Sequence, residues 1–186
     1  MPLTPDPALW RSSRVSAGHI ADFKPFTCVD GEGVRCALYV SGCLFKCEGC
    51  FNEAAWSFRY GTPYSPELED RILATVAHPG VQGLSLLGGE PFLNTEVCLA
   101  VARRLRQELG ASKDLWAWSG YTFEQIVAEG GDKLELLRLC DVLVDGPYLA
   151  AERDLSLRFR GSRNQRVIDV RASLATGVAV PHRTST

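Results

Sequence analysis

Three cysteines stand close together in the stretch SGCLFKCEGCFN, residues 41–52. Cys43, Cys47 and Cys50 have the spacing C-x3-C-x2-C, which lets three thiolates surround one metal centre. A structural zinc site takes four ligands, usually as two separated pairs. Iron–sulfur clusters use short cysteine spacings and commonly take four cysteines, so three would leave one iron open to another ligand. The spacing therefore favours a cluster with an open iron over a zinc site or three unrelated buried cysteines.

A second candidate site is the sequence GGEP, which contains Gly88, Gly89 and Glu90. A backbone without side chains lets a ligand approach closely, and the carboxylate of Glu90 can accept hydrogen bonds from a cationic group. A glycine-rich turn between a strand and a helix is the alternative interpretation. The GGEP sequence follows a predicted strand and lies downstream of the cysteines, and this position favours a ligand-binding turn.

Two later motifs carry charged residues. Asp145 ends the strand pattern in DVLVDGPY and is either a turn-capping residue or a polar group on the active face. The stretch RGSRNQR, residues 160–166, is either a solvated basic loop or a surface for docking or for a carboxylate-bearing cofactor. No Ser/His/Asp arrangement and no phosphate-binding loop is present, so hydrolysis by a side-chain nucleophile has no support.

The composition is that of one globular domain. The 186 residues are 46% hydrophobic and 23% charged, and the net charge of -2 argues against general binding to nucleic acid or to anionic membranes. No uncharged run is long enough to span a bilayer, and the polar N-terminus does not resemble a secretory signal. The cysteine count of seven is odd, which does not suit a disulfide framework. We therefore expect a cytoplasmic protein that uses its thiols for metal, with residues 1–20 as a flexible extension of a single domain, residues 21–186.

Strand and helix patterns alternate from Val34 onward. Capping boxes at Thr122–Gln125 and Asp132–Glu135 predict the starts of two short helices. The hydrophobic periodicity predicts two longer helices, residues 65–78 and 94–110, and five strands, residues 34–40, 83–89, 114–120, 141–146 and 165–170.

This alternation predicts an α/β fold with a mostly parallel sheet. Five strands do not close an eight-stranded barrel, so an open sheet or a partial (βα) TIM-like barrel is expected. In such folds the chemistry collects at the carboxyl ends of the strands. The cysteines, GGEP, WSGY (residues 118–121) and DGPY (residues 145–148) each follow a predicted strand, and we expect them to lie together.

These motifs together resemble the radical S-adenosylmethionine (SAM) superfamily, and more narrowly its glycyl-radical-activating branch. CLFKCEGC matches the cluster loop of the superfamily, and GGEP matches its SAM-binding turn. VDGEGVR, CEGCFN, SGYT, DVLVDGPY and RGSRNQRVID are similar, in this order, to segments of the family that activates anaerobic ribonucleoside-triphosphate reductase. The resemblance covers about residues 20 to 170.

The resemblance implies a radical SAM core and assigns roles to residues. Cys43, Cys47 and Cys50 would hold a [4Fe-4S] cluster whose fourth iron takes the amino and carboxylate groups of SAM. SAM contacts are implied for Gly49, Phe51, Gly88, Gly89, Glu90, Asp145 and Asn164. Residues facing the partner are implied to be Asp30, Arg35 and Arg166.

The implied reaction is reductive cleavage of SAM to a 5′-deoxyadenosyl radical, which takes a hydrogen atom from a glycine of the partner. The implied partners are the glycyl-radical subunit of an anaerobic ribonucleoside-triphosphate reductase and a low-potential electron donor such as flavodoxin or ferredoxin. Two alternatives stay open: radical SAM chemistry on another glycyl-radical enzyme or a small molecule, and a zinc- or cluster-bearing binding module without SAM chemistry.

Overall fold

A computed structural model describes residues 6–185. These residues form one eight-stranded sheet with helices packed against it. The strands are β1 His19–Thr27, β2 Arg35–Val40, β3 Thr62–Pro63, β4 Gly83–Gly88, β5 Asp114–Trp118, β6 Val142–Asp145, β7 Arg166–Asp169 and β8 Val180–Pro181. The helices are α1 Ser12–Val15, α2 Pro66–Val76, α3 Thr95–Leu109, α4 Phe123–Glu129, α5 Gly131–Leu139 and α6 Val170–Thr176.

The sheet is mixed, in the order β3-β1-β2-β4-β5-β6-β7-β8. The four central strands β2, β4, β5 and β6 are parallel, while β1 and β3 on one side and β7 and β8 on the other pair antiparallel. The predicted α/β class and parallel centre are confirmed. The sheet is not closed, because β3 and β8 lie at opposite edges of this order.

Capping residues in the sequence mark the starts of helices α2 and α4. The Ser65 hydroxyl accepts a hydrogen bond from the amide of Leu68 at the start of α2, and Thr122 and Gln125 form the predicted capping box of α4. The second predicted capping box is wrong. Helix α5 begins at Gly131, so Asp132 already lies in its first turn. Its carboxylate accepts from the hydroxyl of Thr95 and thereby ties α5 to α3.

The helices bury their predicted apolar faces against the sheet. Ile72, Val76, Val101 and Leu105 are each completely buried, which excludes a large apolar area from water. Cys98 is in the same core, as expected from its position on the apolar stripe of α3. No helix among residues 6–185 has both the length and the apolar character needed to cross a membrane.

Much of the segment that we expected to be a flexible extension packs against the domain. Residues 6–16 form a short 3-10 helix followed by α1, and Trp10 is 8% exposed within the main core. Residues 1–5 lie outside the described residues, and the division of the chain at residue 20 stays a prediction.

Candidate functional site

A cavity with a volume of about 570 Å³ lies at the carboxyl ends of the four parallel strands. The segments after β2, β4, β5 and β6 all contribute to its wall. The predicted meeting of the motifs is therefore confirmed. Of the predicted site residues, the following line the cavity: Asp30, Cys43, Cys47, Gly49, Cys50, Phe51, Gly88, Gly89 and Glu90.

The cysteine loop that follows β2 has a backbone that needs glycine. Gly42 has a φ of 104°, and a Cβ atom there would lie 1.9 Å from the ring of Phe58. Gly49, with a φ of 72°, allows a second tight turn before the third cysteine. Lys46 also has a left-handed φ, of 47°, which is uncommon for a residue with a side chain and often marks a functional loop.

Each of the three sulfur atoms faces at least one backbone amide. The amides of Phe45 and Lys46 are directed at Cys43, and the amide of Tyr148 is directed at Cys47. The amide of Asn52 donates to the Sγ atom of Cys50 over 3.4 Å. Hydrogen bonds to the sulfurs are one of the features by which proteins tune iron–sulfur clusters.

The thiols of Cys43 and Cys47 are held in their neutral form by burial. Burial, together with the charge of Glu90, raises the pKa of Cys43 to about 12, and burial also raises the pKa of Cys47. Iron binding removes the proton, because the thiolate is the ligand. Among residues 6–185, no three His, Cys, Asp or Glu side chains form a group that could hold a metal ion. A [4Fe-4S] cluster does not need three ligands around a single ion, because each thiolate binds a different iron atom.

The GGEP turn packs directly against the cysteine loop. The amide of Gly89 donates to the carbonyl of Val40, and the amide of Glu90 donates to the carbonyl of Gly42. A Cβ atom at Gly89 would lie 2.6 Å from the carbonyl oxygen of Gly42, and one at Gly88 would lie 2.8 Å from the backbone of Tyr39. The two glycines are therefore required for this contact, and they also leave main chain exposed to a ligand in the cavity.

The carboxylate of Glu90 is almost completely buried, at 1% exposure. One oxygen accepts from the amide of Phe92 and the hydroxyl of Ser119, and the other accepts from the amide of Gly120. Burial raises the pKa of Glu90 to about 7, and these three hydrogen bonds partly offset that effect. The side chain is thus occupied in joining the end of β4 to the end of β5.

Two predicted site residues belong instead to the framework. Asp145 is completely buried, accepts from the amide of Phe123 and pairs with Arg166. Its contact to a cofactor stays a prediction. The expectation that Arg35 faces a partner stays a prediction. Its guanidinium is completely buried, where it pairs with Asp114 and contacts the ring of Trp116. In both cases a polar residue at a strand end points away from the cavity.

The other two predicted residues lie close to the cavity without being among its lining residues. The Asn164 amide donates to the carbonyl of Pro147, while its Oδ1 atom is buried without a hydrogen-bond partner. Arg166 is 41% exposed at its side chain and is shared between Asp145 and Glu124.

Sequence reasoning did not single out several residues of the wall. Trp118 donates from its indole nitrogen to the carbonyl of Phe159, and Phe159 itself has a left-handed φ of 61°. Tyr148 comes from the recognised DGPY motif, although its side chain was not singled out, whereas Arg160 belongs to the basic stretch RGSRNQR that was considered for a carboxylate-bearing cofactor. The Nε atom of Arg160 is buried without a hydrogen-bond partner.

Comparison with known proteins matches most of the chain. A family model described as a 4Fe-4S single cluster domain matches residues 29–168. A protein of Vibrio cholerae named anaerobic ribonucleoside-triphosphate reductase-activating protein is 39% identical over 147 residues, covering 77% of this chain and 92% of the relative. Proteins of the same name from Escherichia coli K12 and from phage T4 are 37% and 36% identical. They cover 80% and 77% of this chain, and 97% and 88% of their own lengths.

The placement of Asp145 predicts a stability effect. Replacing Asp145→Asn removes the charge that pairs with Arg166, and we expect the free energy of unfolding to fall by roughly 1–3 kcal/mol. Urea denaturation of the cluster-free protein measures this loss. Glu124→Gln removes the exposed partner of the same arginine and should cost less than about 1 kcal/mol. Unchanged stability in Asp145→Asn would contradict a stabilising role for this ion pair.

The buried carboxylate of Glu90 predicts a pH dependence. Its pKa of about 7 lies above the ordinary value of 4.5, so the folded protein binds the proton more tightly than the unfolded chain. Stability should therefore fall as the pH rises from about 4.5 to about 7, by up to about 1.4 kcal/mol per pH unit. Urea denaturation across this range should show that Glu90→Gln lacks this component and that Glu124→Gln retains it. An identical slope in Glu90→Gln and the unmodified protein would contradict the assignment.

Proposed function

The chain belongs to the family of anaerobic ribonucleoside-triphosphate reductase-activating proteins, which carries a 4Fe-4S single cluster domain, and from this premise we propose its chemistry. The protein is an oxidoreductase of the radical SAM class. It cleaves SAM reductively at a [4Fe-4S] cluster and installs a glycyl radical on an anaerobic ribonucleoside-triphosphate reductase. A flavodoxin or ferredoxin supplies the electron.

The observation that carries this proposal is the meeting of the cysteine loop and the GGEP turn in one cavity. Cys43, Cys47 and Cys50 reach the cavity from one side, and Gly88 and Gly89 present main chain beside them. The volume of about 570 Å³ lies in the range of pockets that bind small ligands and cofactors. Three cysteines would leave one iron of a [4Fe-4S] cluster without a protein ligand, and the GGEP turn packs against the loop that carries them.

The residues around the turn divide the binding of SAM between them. The main chain at Gly88 and Gly89 receives the methionine ammonium group, because the Glu90 carboxylate is already engaged by three donors. Arg160 lines the cavity with an unpartnered Nε atom and suits the methionine carboxylate. Gly49 and the 84% exposed Phe51 flank the adenine.

When bound, the cluster and SAM supply the reaction itself: one electron breaks a sulfonium bond, and the resulting carbon radical takes a hydrogen atom from the partner glycine. The chain contributes binding, orientation and the exclusion of water. Leu87, Trp118 and Phe159 give the cavity an apolar wall that suits a reactive radical. The parallel strands β2, β4, β5 and β6 would correspond to the partial barrel of a radical SAM core. Asp30 at the cavity is a candidate contact to the partner.

Replacing Cys47→Ala tests the proposal. The variant removes one of three cluster ligands without touching the core, and we expect iron binding and SAM cleavage to be lost together. Anaerobic reconstitution followed by iron analysis measures the first, and chromatography of the methionine released from SAM by the reduced protein measures the second. A glycine-centred EPR signal on the reductase should disappear as well.

The matched control is Cys28→Ala, which removes an exposed cysteine outside the cavity lining. It should keep normal iron content and normal cleavage. SAM cleavage by Cys47→Ala at the unmodified rate would refute the proposal. A glycine-centred EPR signal on a different glycyl-radical enzyme, but none on the reductase, would support the proposed radical reaction and refute the proposed partner.

A further inference from the structure

The N-terminal segment, residues 6–16, lies behind the wall of the cavity. Trp10 is 8% exposed, and Ser12 is 2% exposed, so the segment is packed at both positions. The hydroxyl of Ser12 accepts from the amide of Thr95, which fixes the segment at the start of α3. The segment precedes the portion matched by the family model, which begins at residue 29.

Trp10 contacts the cysteine loop through an aromatic cluster. Its ring meets Phe45 edge-on with ring centres 5.0 Å apart, and Phe45 meets Tyr121 in the same way at 5.0 Å. Phe45 stands between Cys43 and Cys47 and lines the cavity. The side chain of Phe45 therefore couples the N-terminal segment to the loop that carries the cysteines.

The neighbours of Trp10 hold its backbone in place, and the ring of Tyr121 meets the Trp10 ring edge-on. The Nζ atom of Lys133 donates to the carbonyl of Trp10 and lies 3.9 Å from the ring centre of Tyr121. The hydroxyl of Tyr121 donates to the carbonyl of Pro7. Phe45 has little freedom on its other side, because a Cβ atom at Gly120 would lie 2.5 Å from its ring.

A second connection runs through buried polar groups. The hydroxyl of Ser16 donates to the Oδ1 atom of Asn94, which is completely buried. The Nδ2 atom of Asn94 donates to the carbonyls of Gly42 and Glu90. Ser16 thus orients an amide that holds both the cysteine loop and the GGEP turn, independently of the aromatic cluster.

We infer that Trp10 is a positioning residue for the cluster: through Phe45 it holds the cysteine loop in its ligand-ready conformation. Ser16 supports the same loop through Asn94. The inference rests on the proposed function only in taking Cys43, Cys47 and Cys50 as the ligands. Without the Trp10 ring the loop opens locally while the sheet stays folded, because the contact involves the loop and not a strand.

Thiol alkylation of the full-length, cluster-free protein tests this directly. The rate at Cys47 is measured by mass spectrometry relative to the exposed Cys28 in the same molecule. Trp10→Leu keeps an apolar side chain but removes the aromatic contact, and it should raise the Cys47 rate about tenfold. Trp10→Phe restores a ring and should stay within about threefold of the unmodified protein. In the reconstituted protein, iron release to a chelator should be faster in Trp10→Leu than in Trp10→Phe.

Two controls separate loop positioning from general stability. Leu9→Ala changes a 69% exposed neighbour and should leave both rates unchanged. Leu105→Ala destabilises the core of α3 far along the chain and should leave the Cys47 rate, relative to Cys28, unchanged. A rise with Leu105→Ala equal to that with Trp10→Leu, or no rise with Trp10→Leu, would overturn the inference. Because alkylation needs neither iron nor SAM, its outcome is separate from that of the Cys47→Ala test.

Discussion

One buried carboxylate joins the ends of the parallel strands. Glu90 follows β4, accepts two hydrogen bonds from the turn after β5 and one from its own turn, and donates its amide to the loop after β2. Backbone donors at buried strand ends must find acceptors, and this single side chain satisfies two of them. The negative charge also raises the pKa of Cys43. The position and the protonation of the cysteine loop therefore both depend on Glu90.

The glycines complete this arrangement by allowing three segments to touch. Gly42 and Gly89 are in backbone contact, and neither position has room for a Cβ atom. A side chain at either position would separate the cysteine loop from the turn beside it. The cavity can therefore bring three thiols and an exposed stretch of main chain together, which is the arrangement that an iron–sulfur cluster with one open iron requires.

The site could be predicted where chemistry follows from local spacing. Three cysteines within eight residues and a glycine pair after a strand are local patterns, and the structure brings them to one cavity. The directions of single polar side chains could not be predicted. Asp145 and Arg35 are at strand ends, but each points toward a partner distant in the chain, Arg166 and Asp114. Such pairings depend on tertiary packing and leave no local signal.

The central parallel strands of the sheet were predicted from the sequence, but the antiparallel strands β1, β3 and β8 at its edges were not. The parallel strands are short apolar runs with high β-propensity, which a sequence shows clearly. Strand β1, HIADFKPFT, mixes polar and apolar residues without a regular alternation and buries only Ile20, and it is held by antiparallel pairing with β2 and β3. Trp10 was missed for a related reason, since a lone aromatic residue among prolines and serines carries no periodic signal.

The packing of Trp10 bears on the order in which the chain is made and folds. The segment around Trp10 is synthesised before the residues it packs against, since its hydrogen-bonding partners Tyr121 and Lys133 lie 114 and 123 residues away from the groups they contact. Contacts over such separations form after local structure, because closing a long loop costs chain entropy. This segment thus docks late, although it is synthesised before its partners. Until synthesis has passed α5, the cysteine loop lacks the aromatic support behind it, so a complete metal-binding pocket is a late product of folding.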